Sequence, residues 1–130
     1  MELSEVKNKI RREKLAARAA LAPRAREKYS RKVCETIAWL EVYKSAKTVM
    51  LYSAVRAELD LSMLAELAGA DGKTLLYPYC AGAGLMTALE PAGPESWRRG
   101  SFGIPEPDPG LCRAFAPRQI GLIVAPCSAF

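Results

Sequence analysis

Apolar residues recur at intervals of three and four positions between residues 2 and 42, which predicts two amphipathic helices. The first helix is expected over residues 2–21, where alanines fill the positions between larger apolar side chains. Its apolar stripe consists of Leu3, Val6, Ile10, Ala17 and Leu21. Pro23 suits the first turn of a second helix, which is expected from about Arg24 to Val42. The inner face of that helix would carry Tyr29, Val33, Ile37 and Leu40.

Beyond residue 46 the pattern changes to short apolar runs bounded by polar residues, which predicts β-strands. The three runs lie at residues 47–55, 73–79 and 120–124. A short helix capped by Asp60 is expected between the first two runs. The pattern of LMTALEP, residues 85–91, predicts a short edge strand. Residues 91–118 are rich in Pro, Gly and Arg and are expected to form mostly ordered loop.

Strands that alternate with helical segments predict an α/β fold with a mostly parallel sheet, preceded by the two N-terminal helices, which are expected to pack against the sheet. A chain of 130 residues fits a single domain, residues 1–130. Ligands of such folds bind beyond the carboxyl ends of the strands. We therefore expect functional residues in the loops after Val55 and Pro78, and in whatever follows Phe130.

The composition excludes several kinds of chemistry. The chain contains no histidine, which rules out Ser-His-Asp and Cys-His catalysis and zinc sites with histidine ligands. Its four cysteines form no C-x-x-C pair and are expected to be reduced thiols. No apolar run approaches the ~20 residues that cross a bilayer, and the N-terminus lacks an apolar signal core. These features predict a cytoplasmic protein without a membrane partner.

The net charge of +5 is concentrated near the N-terminus, between Lys7 and Lys32. A basic end on a near-neutral body suggests an anionic partner, which can be a nucleotide, a polyanionic substrate or RNA. Four cations share one face of the first helix because they are spaced by four, three and four residues. They are Lys7, Arg11, Lys14 and Arg18. Such a row can hold phosphates, or it can be an ordinary solvated surface.

Two segments beyond the helices offer further candidates. Glu58, in SAVRAELD just after the first strand, can accept hydrogen bonds from ligand amines or can be an exposed loop acid. The segment GSFGIPEPDPG, residues 100–110, is stiffened by prolines and carries Phe102. Phe102 can wall a flat ring or can simply fill the core. Trp97, beside two arginines, can stack on a base, although packing is the favoured role.

Several motifs follow one another in an order that resembles the 5-formyltetrahydrofolate cyclo-ligase family, also called methenyltetrahydrofolate synthetases. They are K-x-x-x-R at residues 7–11, MLYSAVRAELD at 50–60, L-Y-P at 76–78, GLM at 84–86, FGIPEP at 102–107 and LIVAPCSAF at 122–130. The resemblance covers essentially the whole chain. The last two motifs are its most specific part.

The resemblance implies a three-layer α/β/α fold and an enzyme that uses ATP and Mg²⁺. The implied reaction closes 5-formyltetrahydrofolate to 5,10-methenyltetrahydrofolate and releases ADP and phosphate. The formyl oxygen takes the γ-phosphoryl group, and the neighbouring folate nitrogen then attacks the activated carbon. This chemistry relies on the positioning of the reactants and on cations near the phosphates. It needs no histidine and is therefore compatible with this chain.

The resemblance also implies two sets of binding residues. Lys7 and Arg11 would contact the ATP phosphates, with Lys9 nearby. The substrate-binding residues would be Ser53, Glu58, Met86 and Phe102. Glu58 would bind polar hydrogens of the pterin, Phe102 would wall the pterin, and Met86 would line the same pocket. No residue of the chain is assigned as a catalytic residue or a metal ligand.

In the family the last motif is followed by a glycine-rich segment that wraps the triphosphate, and that segment would lie beyond Phe130. We therefore expect a fold that is incomplete at its C-terminus and a chain that is inactive alone. One alternative is a non-catalytic protein that binds folate or a nucleotide. Another is an RNA-binding module that uses the basic first helix, although no aromatic residues are interleaved with the cations of that helix. We expect a monomer without a nucleic-acid partner.

Overall fold

A computed structural model describes residues 2–100 and 103–128 of the chain. The α-helices are α1 (Leu3–Ala19), α2 (Pro23–Trp39), α3 (Glu41–Ser45) and α4 (Ser62–Ala70). The strands are β1 (Thr48–Met50), β2 (Thr74–Gly82), β3 (Leu85–Pro91), β4 (Trp97–Arg99), β5 (Pro105–Pro107), β6 (Cys112–Phe115) and β7 (Leu122–Ile123). Two 3₁₀ helices lie at Pro94–Ser96 and Pro117–Gln119.

The main sheet has five strands in the order β6-β3-β2-β1-β7. β1 is parallel to both of its neighbours, β2 and β7. β3 is antiparallel to both β2 and β6, so β6 runs in the same direction as β2 and only β3 opposes the rest. This arrangement confirms the predicted α/β class with a mostly parallel sheet. β4 and β5 pair separately as an antiparallel hairpin.

The core lies between the sheet and the two helices α2 and α4. Alternation along β1 sends Val49 toward these helices, where it is fully buried with Leu64 of α4 and Cys34 of α2. Met50 points to the opposite face and joins a smaller cluster with Leu76 of β2. Asp60 accepts the Ser62 N–H at 3.0 Å, but the N-cap position of α4 is Leu61, so the prediction placed the cap one residue too early.

Two predictions about the second half of the chain are wrong. Residues 85–91 form no edge strand, because β3 lies between β2 and β6. The segment 91–118 is not mostly loop, since it contains β4, β5, β6 and both 3₁₀ helices. These strands have only three or four residues each, which is too short for a period of two to stand out.

The expectation that both N-terminal helices pack on the sheet holds only for α2. α1 buries none of its residues, and Leu3 and Ile10 of its stripe are 69% and 42% exposed. Alanine-rich and charged residues favour this helix without tertiary packing. α2 ends before the predicted Val42 because Leu40 adopts an extended backbone, with ψ at 139°. In the part of the chain described, no helix is both long and apolar enough to cross a membrane.

Candidate functional site

The segments that follow β1 and β7 lie side by side at the carboxyl edge of the sheet. The Val124 N–H donates to the Met50 carbonyl at 2.9 Å, which carries the pairing of the two strands one residue past the end of β7. Arg18 of α1 reaches the second segment, where its Nη1 donates to the Cys127 carbonyl at 3.5 Å. The basic helix therefore ends at the edge where ligands of parallel sheets bind.

The loop after β1 is fixed to α2 by polar contacts. The Asp60 N–H donates to the buried Ser30 hydroxyl at 3.0 Å, and the Cys34 thiol lies 3.6 Å from the Asp60 carbonyl. The Tyr52 hydroxyl donates to the Leu59 carbonyl at 2.9 Å within the loop. Burial raises the pKa of Cys34, which keeps it a thiol and makes it a structural rather than a nucleophilic cysteine.

Glu58 is held at the centre of this loop with part of its carboxylate free. Its Oε1 accepts the Val55 N–H at 2.9 Å, and its own N–H donates to the Val55 carbonyl at 3.1 Å. Arg56, between them, has a φ of 54°, a left-handed conformation that disfavours a side chain. Apart from Val55, no described residue donates a hydrogen bond to this carboxylate. The remaining oxygen is thus available to a ligand.

An aromatic pocket of about 310 Å³ lies beside the loop, between β2 and the β4–β5 hairpin. Tyr77 and Trp97 meet edge to face in its wall, with ring centroids 4.9 Å apart and planes at 70°. Ser53 and Met86 line the same pocket, so two of the predicted substrate residues lie together. The packing role favoured for Trp97 agrees with this contact. Flat walls with a few polar groups suit an aromatic heterocycle.

The hairpin that closes this pocket is joined to β2 by Arg98. Its Nη2 donates to the Tyr79 hydroxyl at 3.3 Å and lies 3.4 Å from Glu106 Oε1 on β5. Gly100 packs so closely on the Glu106 side chain that a Cβ would collide with it, and Gly103 has a φ of 72°. Both glycines of the G-x-x-G motif are therefore required by the turn. Phe102, predicted to wall the pterin, lies outside the described residues.

The predicted ATP-binding residues lie apart from the aromatic pocket. Lys9 and Arg11 line an open groove along α1, where Arg11 Nη1 donates to Asn8 Oδ1 at 2.9 Å. Lys7 is exposed on the same helix. Of the cations on α1, it is Lys14 and Arg18, at the other end of the basic face, that share a cavity with Glu58.

The described residues do not form a site for a metal ion of their own. They contain no group of three or more cysteine, aspartate or glutamate side chains that could surround a cation. Protein-bound Mg²⁺ commonly combines one or two carboxylates with substrate phosphates and water. We therefore assign no metal ligand within the described residues.

The sequence analysis missed several residues that line these cavities. Tyr52, Tyr77 and Ile104 were assigned no functional role, although Tyr52 lies only two residues after the end of β1. Burial raises the pKa of Tyr52 to about 12, and the negative charge of Glu58 adds to this effect. Proximity to the carboxyl end of a strand was the signal that could have identified Tyr52. The approach of β5 to β2 was not visible in the sequence.

The comparisons with known proteins that found a match all indicate the same family. A model of the 5-formyltetrahydrofolate cyclo-ligase family matches residues 3–130. The NMR structure of the 5,10-methenyltetrahydrofolate synthetase of Aquifex aeolicus is similar, with a TM-score of 0.77 and 28% identity over 91% of this chain. A 5,10-methenyltetrahydrofolate synthetase of Mycoplasma pneumoniae has the same fold, with a TM-score of 0.70 and 19% identity over 92% of this chain. The alignments cover 59% and 63% of those proteins. No curated protein matches significantly.

Proposed function

Because the chain belongs to the 5-formyltetrahydrofolate cyclo-ligase family, we propose that it serves the ATP-dependent cyclisation of 5-formyltetrahydrofolate. The products are 5,10-methenyltetrahydrofolate, ADP and phosphate. One observation carries the proposal: the half-free carboxylate of Glu58 stands beside an aromatic pocket that also contains Ser53. A flat, amine-bearing pterin fits that combination of flat walls and an acceptor.

The chemistry requires two steps. The formyl oxygen attacks the γ-phosphorus of ATP, forming an O–P bond while the bond to the β–γ bridging oxygen breaks and ADP leaves. The second folate nitrogen then attacks the formyl carbon, the C–O bond to phosphate breaks, and that nitrogen loses its proton. Both steps depend on holding the reactants in line and on neutralising phosphate charge.

In this proposal the pterin lies in the aromatic pocket, and Glu58 accepts hydrogen bonds from its amine hydrogens. Ser53 and Met86 contact the folate from the pocket wall, and we propose the same for Phe102. Lys7 and Arg11 meet the phosphates of ATP, with Lys9 nearby, and ATP arrives as its Mg²⁺ complex. The four unpaired cysteines fit a reducing compartment, and we propose that the protein acts in the cytoplasm as a monomer.

Binding is the first test. Addition of 5-formyltetrahydrofolate should change the fluorescence of Trp97, which lies in the pocket wall, whereas tetrahydrofolate without the formyl group should bind more weakly. Trp39 is 76% exposed and lies outside the pocket, so Trp39→Phe removes its background without touching the site. Absence of any folate-dependent signal in this variant would refute the proposed pocket.

Turnover is the second test. The near-ultraviolet absorbance of the methenyl product should be followed with ATP and Mg²⁺, both in the 130-residue chain and in its fusion to the unmatched part of the Aquifex aeolicus protein. We expect product from the fusion. Folate binding by the fusion without any product would favour the non-catalytic alternative.

A further inference from the structure

We propose that Lys14 and Arg18 form an oxyanion subsite beside Glu58, at the carboxyl edge of the sheet. This inference rests on the proposed function and adds to it a site for a phosphate or carboxylate group of a substrate. The two cations line a cavity of about 380 Å³ together with Tyr52, Glu58 and the segment after β7. None of the predicted ATP-binding residues lines this cavity.

The hydrogen bonding of Arg18 is the first support. Its Nη1 makes one long contact of 3.5 Å with the Cys127 carbonyl. Its Nε is shielded from solvent and has no hydrogen-bond partner among the described residues. Buried donors in native proteins are nearly always paired, so an unpaired one calls for an explanation. A ligand oxyanion is such an explanation, because guanidinium groups bind planar oxygen pairs.

The charge balance of the cavity is the second support. Two cations face a single carboxylate there, and Glu58 directs one oxygen to the Val55 N–H. Within the described residues neither Lys14 nor Arg18 forms a salt bridge. A cavity with uncompensated positive charge attracts anions, and its partly enclosed walls strengthen that attraction.

The position of the cavity is the third support. Tyr52 borders both this cavity and the aromatic pocket, so the two cations lie in a cavity adjacent to the proposed pterin position. The oxyanion would be either the transferring phosphate of ATP or a carboxylate of the folate tail. Both groups offer the same paired oxygens.

The experiment measures dissociation constants by calorimetry at one ionic strength. The probes are inorganic tripolyphosphate, 5-formyltetrahydrofolate and 5-formyltetrahydropteroate, which lacks the glutamate. Arg18→Met and Lys14→Met should each weaken binding of at least one anionic probe by about tenfold or more. Arg18→Lys should fall between Arg18→Met and the parent, since it keeps the charge and loses the fork.

A matched control removes the same charge from α2, at an exposed lysine that borders none of these cavities. Lys28→Met should change the affinities less than about twofold, because charges beyond the cavity act only through screened solvent. Lys14 is exposed and has no hydrogen bond among the described residues, so Lys14→Met tests the subsite even if Arg18→Met loosens the fold.

The probes separate the two sources of the anion. If the two variants lose affinity only for tripolyphosphate, the subsite binds ATP. If they lose affinity only for the glutamate-bearing folate, the subsite binds the folate tail. Unchanged binding of every probe in both variants would overturn the inference, as would an equal loss in Lys28→Met. If the protein binds tripolyphosphate through Arg18 but does not bind folate, the oxyanion subsite is confirmed and the proposed function is refuted.

Discussion

The polar groups at the two edges of the sheet differ in whether they have hydrogen-bond partners within the described residues. At the amino edge, the Tyr43 hydroxyl donates to Asp71 Oδ2 at 2.9 Å, and burial raises the pKa of Tyr43 to about 12. Lys73 Nζ donates to the carbonyls of Ala46 and Lys44 at 2.6 and 3.3 Å, and also lies over the Tyr43 ring. These groups satisfy one another within the chain.

At the carboxyl edge, comparable groups remain open. Glu58 uses one oxygen internally, Arg18 Nε has no partner among the described residues, and Arg56 adopts a left-handed backbone. Open polar groups and strained backbone reduce stability and persist where a ligand uses them. The amino edge is therefore a structural cap, and we propose that the carboxyl edge binds a ligand.

Tyr43→Ala should produce the largest effect, and it should act on stability alone. Tyr43 is only 3% exposed, and truncating a buried aromatic side chain costs about 3–5 kcal/mol of the free energy of unfolding. Urea denaturation should reveal this loss, while the folded fraction should bind 5-formyltetrahydrofolate with the parent's affinity. A weakened affinity in the folded protein would mean that the two edges are not independent.

Lys73→Met should lower the free energy of unfolding by about 1.5–3 kcal/mol, because charged donors to buried carbonyls contribute that much. The side chain keeps a similar length, so the loss reports the ammonium group. Lys47→Met is the matched control at the same edge, since Lys47 is exposed and makes no side-chain hydrogen bond among the described residues. Equal losses in the two variants, measured by urea denaturation, would show that net charge rather than the cap is responsible.

Glu58→Gln, at the carboxyl edge, should weaken ligand binding and leave stability almost unchanged, the opposite of the effects expected at the amino edge. The amide oxygen can still accept the Val55 N–H, so the free energy of unfolding should stay within about 0.5 kcal/mol of the parent. The affinity for 5-formyltetrahydrofolate should fall by about tenfold or more, because a charged acceptor is lost. Titration of Trp97 fluorescence measures this, with Glu35→Gln on α2, an exposed acid that borders none of these cavities, as the control. Unchanged affinity would remove Glu58 from the site.

Arg56→Gly should give the smallest effect, a stabilisation of up to about 1 kcal/mol. Relief of the left-handed conformation gains roughly 1–2 kcal/mol, and the added freedom of glycine in the unfolded chain offsets about half of it. Ala57→Gly, at a neighbour without a positive φ, should instead destabilise the protein. Thermal unfolding distinguishes the two variants. A loss of stability in Arg56→Gly would show that the Arg56 side chain stabilises the protein more than its left-handed backbone destabilises it.

Most of the fold could be predicted from the sequence. The period of the apolar residues located α1 and α2, and the short apolar runs located β1, β2 and β7, because these elements bury one face in a regular pattern. The strands β4, β5 and β6 escaped prediction, since three or four residues contain too little pattern. The break between α2 and α3 at Leu40 could not be predicted, because no Pro or Gly lies there.

The sequence by itself determined the family motifs, the row of cations on α1 and the carboxylate after β1. It did so because these depend on residue type and short-range spacing. Only the tertiary structure decided which α1 cations lie near that carboxylate: the path of α1 places Lys14 and Arg18 in one cavity with Glu58 and leaves Lys9 and Arg11 on an open groove. It also decided that Trp97 and Tyr77 share a wall, because contacts between β2 and the hairpin join residues far apart in the chain. Such contacts follow from packing, which no local pattern encodes.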